Sequence, residues 1–270
     1  MSSLLDQPVR SFLDQLAART PAPGGGGAAA VTGAMAAGLV AMAARFSARQ
    51  LPEAGDLADQ ADRWCRQAAA MADMDARAYQ AVLDAGPGYR PEALLGAALV
   101  PLEIAGIGAR VAQLGLQVAE AGNPNLRGDA VTGALLAAAS ARSAACLVDI
   151  NVRLGGLDPE LSQRAAQAAA DAGDAAGRAA MSAERAADER LSRRLCHSRS
   201  PRSAATQRLP AAIAAPDGDA ASVCQVSSAS VIRRILPPRE PLSWAMPGSA
   251  CSPVDAQSMP SGPKARRPPL

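Results

Sequence analysis

Residues 53–85 read EAGDLADQADRWCRQAAAMADMDARAYQAVLDA, and the apolar positions Leu57, Ala61, Trp64, Ala68, Met71, Ala78 and Val82 step alternately by four and three. Asp75 fills the one remaining place in the series. This spacing keeps one side of an α-helix turned toward a partner along its whole length, so the stretch predicts a long helix from Glu53 to about Ala85 with a continuous packing seam. Gly86-Pro87-Gly88 ends it, and a seam of that length needs other helices to pack on.

Those helices are legible on both sides. Upstream, Val9, Phe12, Leu13, Leu16 and Ala17 share one face of a short amphipathic helix, with Asp6 placed to cap it and Thr20-Pro21-Ala22-Pro23 to stop it. An Ala-rich helix follows from near Ala28 to about Gln50. Its face of Gly33, Ala36, Ala37, Val40 and Ala44 is small enough for close approach, which predicts a central helix. Downstream, Pro91 opens a fourth helix that carries a kink at Pro101 and finishes near Gly122-Asn123-Pro124. A fifth starts around Arg127 to Asp129, presents Thr132, Leu136, Ala139, Ser143, Cys146 and Ile150 at seam spacing, and ends at Gly155-Gly156. A sixth runs from Asp158 to about Arg190. The expected fold is all-α, an antiparallel bundle of about six helices over residues 1–190.

Composition divides the chain at the same place. Residues 1–190 carry sixteen arginines against twenty-one acidic side chains, net −5, whereas residues 191–270 carry eleven cations against four acids, net +7. The only lysine, Lys264, the only histidine, His197, and three of five cysteines lie in the second part. Pro, Ser and Arg interrupt every apolar run there, so a disordered low-complexity tail is expected; a shifted reading frame beyond about residue 190 is the alternative. The tail is basic but lacks regularly interleaved aromatics, so no nucleic-acid partner is expected.

The helical part excludes several chemistries. With Cys65 and Cys146 its only thiols and no histidine, it has neither a disulfide framework nor a multi-Cys metal site, and no metal is expected. Gly27 to Ala44 is charge-free and long enough to span a membrane, but Ala and Gly contribute little transfer energy, so no membrane partner is expected. No leader-like segment opens the chain, and the expected location is cytoplasmic.

Three groups of residues are chemically suggestive. Gly24, Gly25, Gly26 and Gly27 lead into a helix whose free N–H groups and positive end suit an anion, or simply form a tight connection. Asp75 occupies an apolar seam, where a carboxylate must be paired, protonated or turned to a wet cleft; fixing helix register is the structural alternative. Asp73, on the neighbouring face, reads as solvated charge. Asn123, Asn125 and Asp129 crowd the turn before the fifth helix, as ligands or as caps, and Asn151 falls at helical spacing between Leu147 and Leu154, toward packing.

Taken in order, Val9…Phe12-Leu13…Leu16-Ala17, Pro21-Ala22-Pro23-Gly24-Gly25-Gly26, Asp75…Ala78-Tyr79…Val82, Gly122-Asn123-Pro124-Asn125…Asp129 and Val148…Ile150-Asn151…Leu157-Asp158 resemble the cyclodeaminase family. That family comprises formimidoyltetrahydrofolate cyclodeaminase domains and stand-alone methenyltetrahydrofolate cyclohydrolases, and the likeness covers about residues 5–190. The resemblance implies a folate one-carbon enzyme, dimeric or larger, with a tetrahydrofolate derivative as substrate and no metal or redox cofactor. It implies that Gly24 to Gly27 hold an anionic part of the ligand, that Asp75 and Asp129 handle protons, and that Asn123, Asn125 and Asn151 bind and orient the substrate. The chain departs from the family pattern where Gly27 and Gly128 replace serines and Leu147 replaces an asparagine. The rival reading is a non-catalytic helical protein whose small-residue seams only mediate oligomerisation.

Overall fold

The computed structural model describes residues 3–86 and 88–198, which form α1 (Val9–Ala17), α2 (Gly25–Arg45), α3 (Ala54–Asp84), α4 (Arg90–Ala121), α5 (Arg127–Gly155) and α6 (Glu160–Ser198). The described residues are an all-α bundle, and α6 continues past the residue-190 boundary. The expectations for the remainder of the tail lie outside the described residues.

Small side chains set the helix spacing. Gly108 and Gly115, one heptad apart on α4, lie against α5: a Cβ on Gly108 would sit 2.7 Å from the Ala137 carbonyl oxygen, and one on Gly115 would sit 3.0 Å from the Ala134 Cβ. Backbone-level contact of this kind leaves no room for a methyl group. Gly108→Ala is therefore expected to cost about 1–3 kcal/mol, read as a lower urea midpoint, because α4 and α5 must separate. The same pairings run antiparallel between α2 and α5, where Ser140 meets Ala29 and Gly133 meets Ala36 and Val40. Helices α2 and α3 are antiparallel too, with Ala68 beside Gly33 and Asp62 paired with Arg45. The largest fully buried side chains are only Ile104 and valines such as Val40, Val111, Val118 and Val148.

Four expectations change. Helix α2 begins at Gly25, earlier than Ala28; its face of Gly33, Ala36, Ala37, Val40 and Ala44 is buried and the helix packs on α3, α5 and α4, while Met35 and Phe46 are 53% and 63% exposed. In α1 only Phe12 is buried; Val9 and Leu13 are exposed, and the N-cap residue is Pro8 rather than Asp6. In α5 the buried face is Gly133, Ala137, Ser140, Ala144 and Val148, and the stripe Thr132, Ala139, Ser143, Cys146 and Ile150 is exposed, with Leu136 half-buried. In α2 and α5 close packing turned the smallest side chains inward and left Met35, Leu135 and Ile150 exposed. Helices α2, α4 and α5 are long and apolar enough to cross a membrane, yet half or more of the most apolar stretch of each is buried inside the bundle.

Candidate active site

At the start of α2 the first backbone N–H groups have no partner within the helix, and the N-cap residue Gly24 offers no side chain to satisfy them. The missing cap comes from α3. Asp75 lies over this end, and its carboxylate accepts a hydrogen bond from the Gly27 N–H. The space it occupies is the space a side chain on Gly26 would need, since a Cβ there would stand 1.9 Å from Oδ1 and 2.3 Å from Cγ. Burial pushes the Asp75 carboxyl above its ordinary range, and the Gly27 N–H opposes that rise only in part. The sequence grouped these residues as separate motifs; the fold makes the glycines the seat of the carboxylate.

Neighbouring Asp73 is not idle solvated charge. Its Oδ1 accepts the Leu4 backbone N–H at 2.8 Å and ties the N-terminal segment to α3.

Asn151 sits at the same end of the bundle, and its Nδ2 donates to the Ala97 carbonyl at 2.8 Å. Pro101 has no N–H to return to that carbonyl, so the Asn151 amide closes the gap that the proline opens in α4. Leu147 lies beside Gly25, and the two line a groove of about 330 Å3 with Ala28, Thr32 and Ser143.

The remaining residues gather at the opposite end of α2. The Asn123 N–H donates to Ser47 Oγ at 2.8 Å, its Nδ2 donates to the Phe46 carbonyl at 3.1 Å, and its Oδ1 accepts the Asn125 N–H at 3.0 Å. Asn123 thus holds the end of α2 to the turn before α5. Ser47, which the sequence reading missed, is fully buried and also donates to the Ala43 carbonyl at 2.7 Å. A lone serine in an Ala-rich stretch carries no signal of that role. Asn125 is exposed, Asp129 is half-buried in the first turn of α5, and neither caps that helix through its side chain. Asn123 and Asn125 line a hollow of about 520 Å3 with Arg45, Phe46, Arg49 and Gln50. At 1.5 Å per residue, the 21-residue α2 separates this group from Asp75 by about 30 Å. Within one chain, the fold brings Asp75, Gly24 to Gly27 and Asn151 to one end and Asn123, Asn125 and Asp129 to the other.

The profile of the formiminotransferase-cyclodeaminase family matches residues 8–171. The chain belongs to that family. It is 34% identical over 172 residues to the methenyltetrahydrofolate cyclohydrolase of Methylorubrum extorquens, covering 57% of this chain and 82% of that relative. Among solved structures it is similar to formiminotetrahydrofolate cyclodeaminase from Thermotoga maritima, with a TM-score of 0.63 and 25% identity, over 67% of this chain and 98% of that one. Two of the family departures leave space: a Cβ on Gly128 would meet nothing within 4 Å, and one on Gly27 would meet Pro23 Cβ at an ordinary 3.5 Å. The third, Leu147, makes the groove beside Gly25 more apolar.

Proposed function

We propose that the chain is a folate one-carbon enzyme that acts on the carbon bridging two folate nitrogens, as a formimidoyltetrahydrofolate cyclodeaminase or a methenyltetrahydrofolate cyclohydrolase. Both reactions pass through a tetrahedral carbon beside a cationic nitrogen. In the first, N10 attacks the formimino carbon, a proton is delivered to the departing nitrogen, and ammonia leaves. In the second, water adds to the methenyl carbon, gives up a proton, and one carbon–nitrogen bond opens to leave 10-formyltetrahydrofolate. Each asks for positioning and proton transfer, so neither a metal nor a redox cofactor enters this reading.

The observation that carries it is Asp75, a carboxyl in an apolar seam, held above its ordinary pKa by burial and seated at a helix N-terminus. A carboxyl raised in this way holds its proton more readily than a solvated aspartate, which suits it to give and take protons. In this reading Asp75 and Asp129 move protons, Gly24 to Gly27 accept an anionic part of the folate, and Asn123, Asn125 and Asn151 orient it. The free thiols Cys65 and Cys146 suit a reducing compartment, here the cytoplasm. Cores of Ala and Gly bury little apolar area per residue, which favours a homodimer or larger assembly.

Methenyltetrahydrofolate absorbance tests the reading. It should rise when formiminotetrahydrofolate is supplied, or fall faster than spontaneous hydrolysis when methenyltetrahydrofolate is supplied. Neither change at micromolar enzyme would overturn the assignment and favour a non-catalytic helical interaction protein.

A further inference from the structure

We propose that Tyr79 is a substrate-binding residue: its ring stacks on the aromatic ring that folate carries on N10, and so sets the reacting carbon over the Asp75 carboxyl. The inference rests on the proton-transfer role given above to Asp75.

The first observation is a line of residues on α3 that outruns its partner helix. Helices α2 and α3 meet antiparallel. Going along α3, the contacts pass from Ala68 beside Gly33, to the Ala72 carbonyl 3.9 Å from the place of a Cβ on Gly27, to Asp75 over Gly26. Steps of four and three keep these residues on one side of α3, and the next step of four arrives at Tyr79. Helix α2 starts at Gly25, whereas α3 runs on to Asp84, so Tyr79 stands one turn, about 6 Å, past Asp75 and beyond the first residue of α2. Leu83, 48% exposed, follows after one more turn. Carboxyl, ring and leucine thus succeed one another along a single strip of the helix.

The second observation is a ring that the fold does not use. Tyr79 is 46% exposed, and among the described residues its hydroxyl has no hydrogen-bond partner. The chain has only two tryptophans, two tyrosines and two phenylalanines, and no other aromatic residue stands between Trp64 and Tyr89. Trp64 is engaged by Arg110, whose guanidinium carbon lies 5.1 Å from the ring centroid, and Tyr89 belongs to the turn before α4. Tyr79 is therefore the aromatic face that α3 offers within a turn of the carboxyl.

The chemistry of the substrate selects what lies on that face. Both candidate reactions make or keep the bond between the reacting carbon and N10, and N10 carries the benzoyl ring. That ring consequently adjoins the carbon throughout, and with the carbon at Asp75 it falls where Tyr79 stands. Offset stacking of two rings is favourable beyond the area it buries, and an aromatic face also suits the cationic carbon–nitrogen unit next to it. Together they are worth on the order of tenfold in affinity.

Steady-state rates of full-length variants test this, with whichever of the two substrates the wild type consumes. Tyr79→Phe keeps the ring, so KM and kcat should both stay within about twofold of wild type. Tyr79→Leu keeps apolar bulk but has no aromatic face. Its KM should rise about tenfold with kcat changed by less than about threefold, because the stack holds substrate and transition state alike. Urea midpoints of both variants should match the wild type, since so exposed a ring contributes little to the core. Tyr79→Leu with the wild-type KM would overturn the inference. So would Tyr79→Phe impaired as much as Tyr79→Leu, which would put the effect in the hydroxyl, or a rise in KM accompanied by a lowered urea midpoint, which would make the ring a packing residue. A wild-type chain that consumes neither substrate defeats the functional reading and this inference with it; an active wild type beside an equally active Tyr79→Leu defeats the inference alone.

Discussion

Asp75→Asn is expected to lower turnover by roughly 100- to 10,000-fold while leaving the bundle folded, as for a lost acid–base group. The amide is nearly isosteric, and its Oδ1 can still accept the Gly27 N–H, so the cap on α2 survives. Stability should move in the other direction. Burial raises the folded-state pKa of Asp75 above the ordinary value of 3.8, so folding favours the protonated form. That contribution is fully present below the unfolded value and is lost as pH rises through the folded one. Across this window the wild type should lose stability relative to Asp75→Asn. Denaturation midpoints at several pH values, beside steady-state rates, check both halves. A variant that is less stable at neutral pH yet turns over normally would make Asp75 a structural residue.

Gly26→Ala is expected to have nearly the same effect on turnover, about 100-fold or more, without removing any reactive group. The new methyl would fall 1.9 Å from Asp75 Oδ1, and the end of that flexible side chain, rather than a backbone, has to give way. The carboxylate then swings off the Gly27 N–H. The fold should hold within about 1 kcal/mol, since Ala is the better helix former. Gly27→Ala is the control. Its methyl would meet Pro23 Cβ at 3.5 Å and leave Asp75 in place, so activity should change only a few-fold. Equal rates for wild type and Gly26→Ala, with the carboxylate displaced, would show that its position does not matter to catalysis.

Much of this architecture was legible in the amino-acid order because helix periodicity and its interruptions are local properties. The seam from Leu57 to Val82, the stop at Gly86-Pro87-Gly88, the opening at Pro91 and the left-handed Gly156 that closes α5 are each readable within a few residues. So was the anomaly of Asp75, since a carboxylate in an apolar series is conspicuous wherever the series leads. The order of motifs sufficed to place the chain among the cyclodeaminases.

What needed the tertiary structure was every relation between helices. Periodicity says that a helix has a buried side, but in an Ala- and Gly-rich chain close packing decides which side it is; in α5 it buried Gly133, Ala137 and Ser140 and left Ile150 outside. The Asn151 amide answers the carbonyl stranded by Pro101, which lies fifty residues away in sequence but across one helix contact in space. Gly26 is a glycine because a carboxylate from another helix stands where its side chain would be. The separation of Asp75 from Asp129 along the length of α2 follows from antiparallel packing of α2 and α5, and no local pattern carries that information.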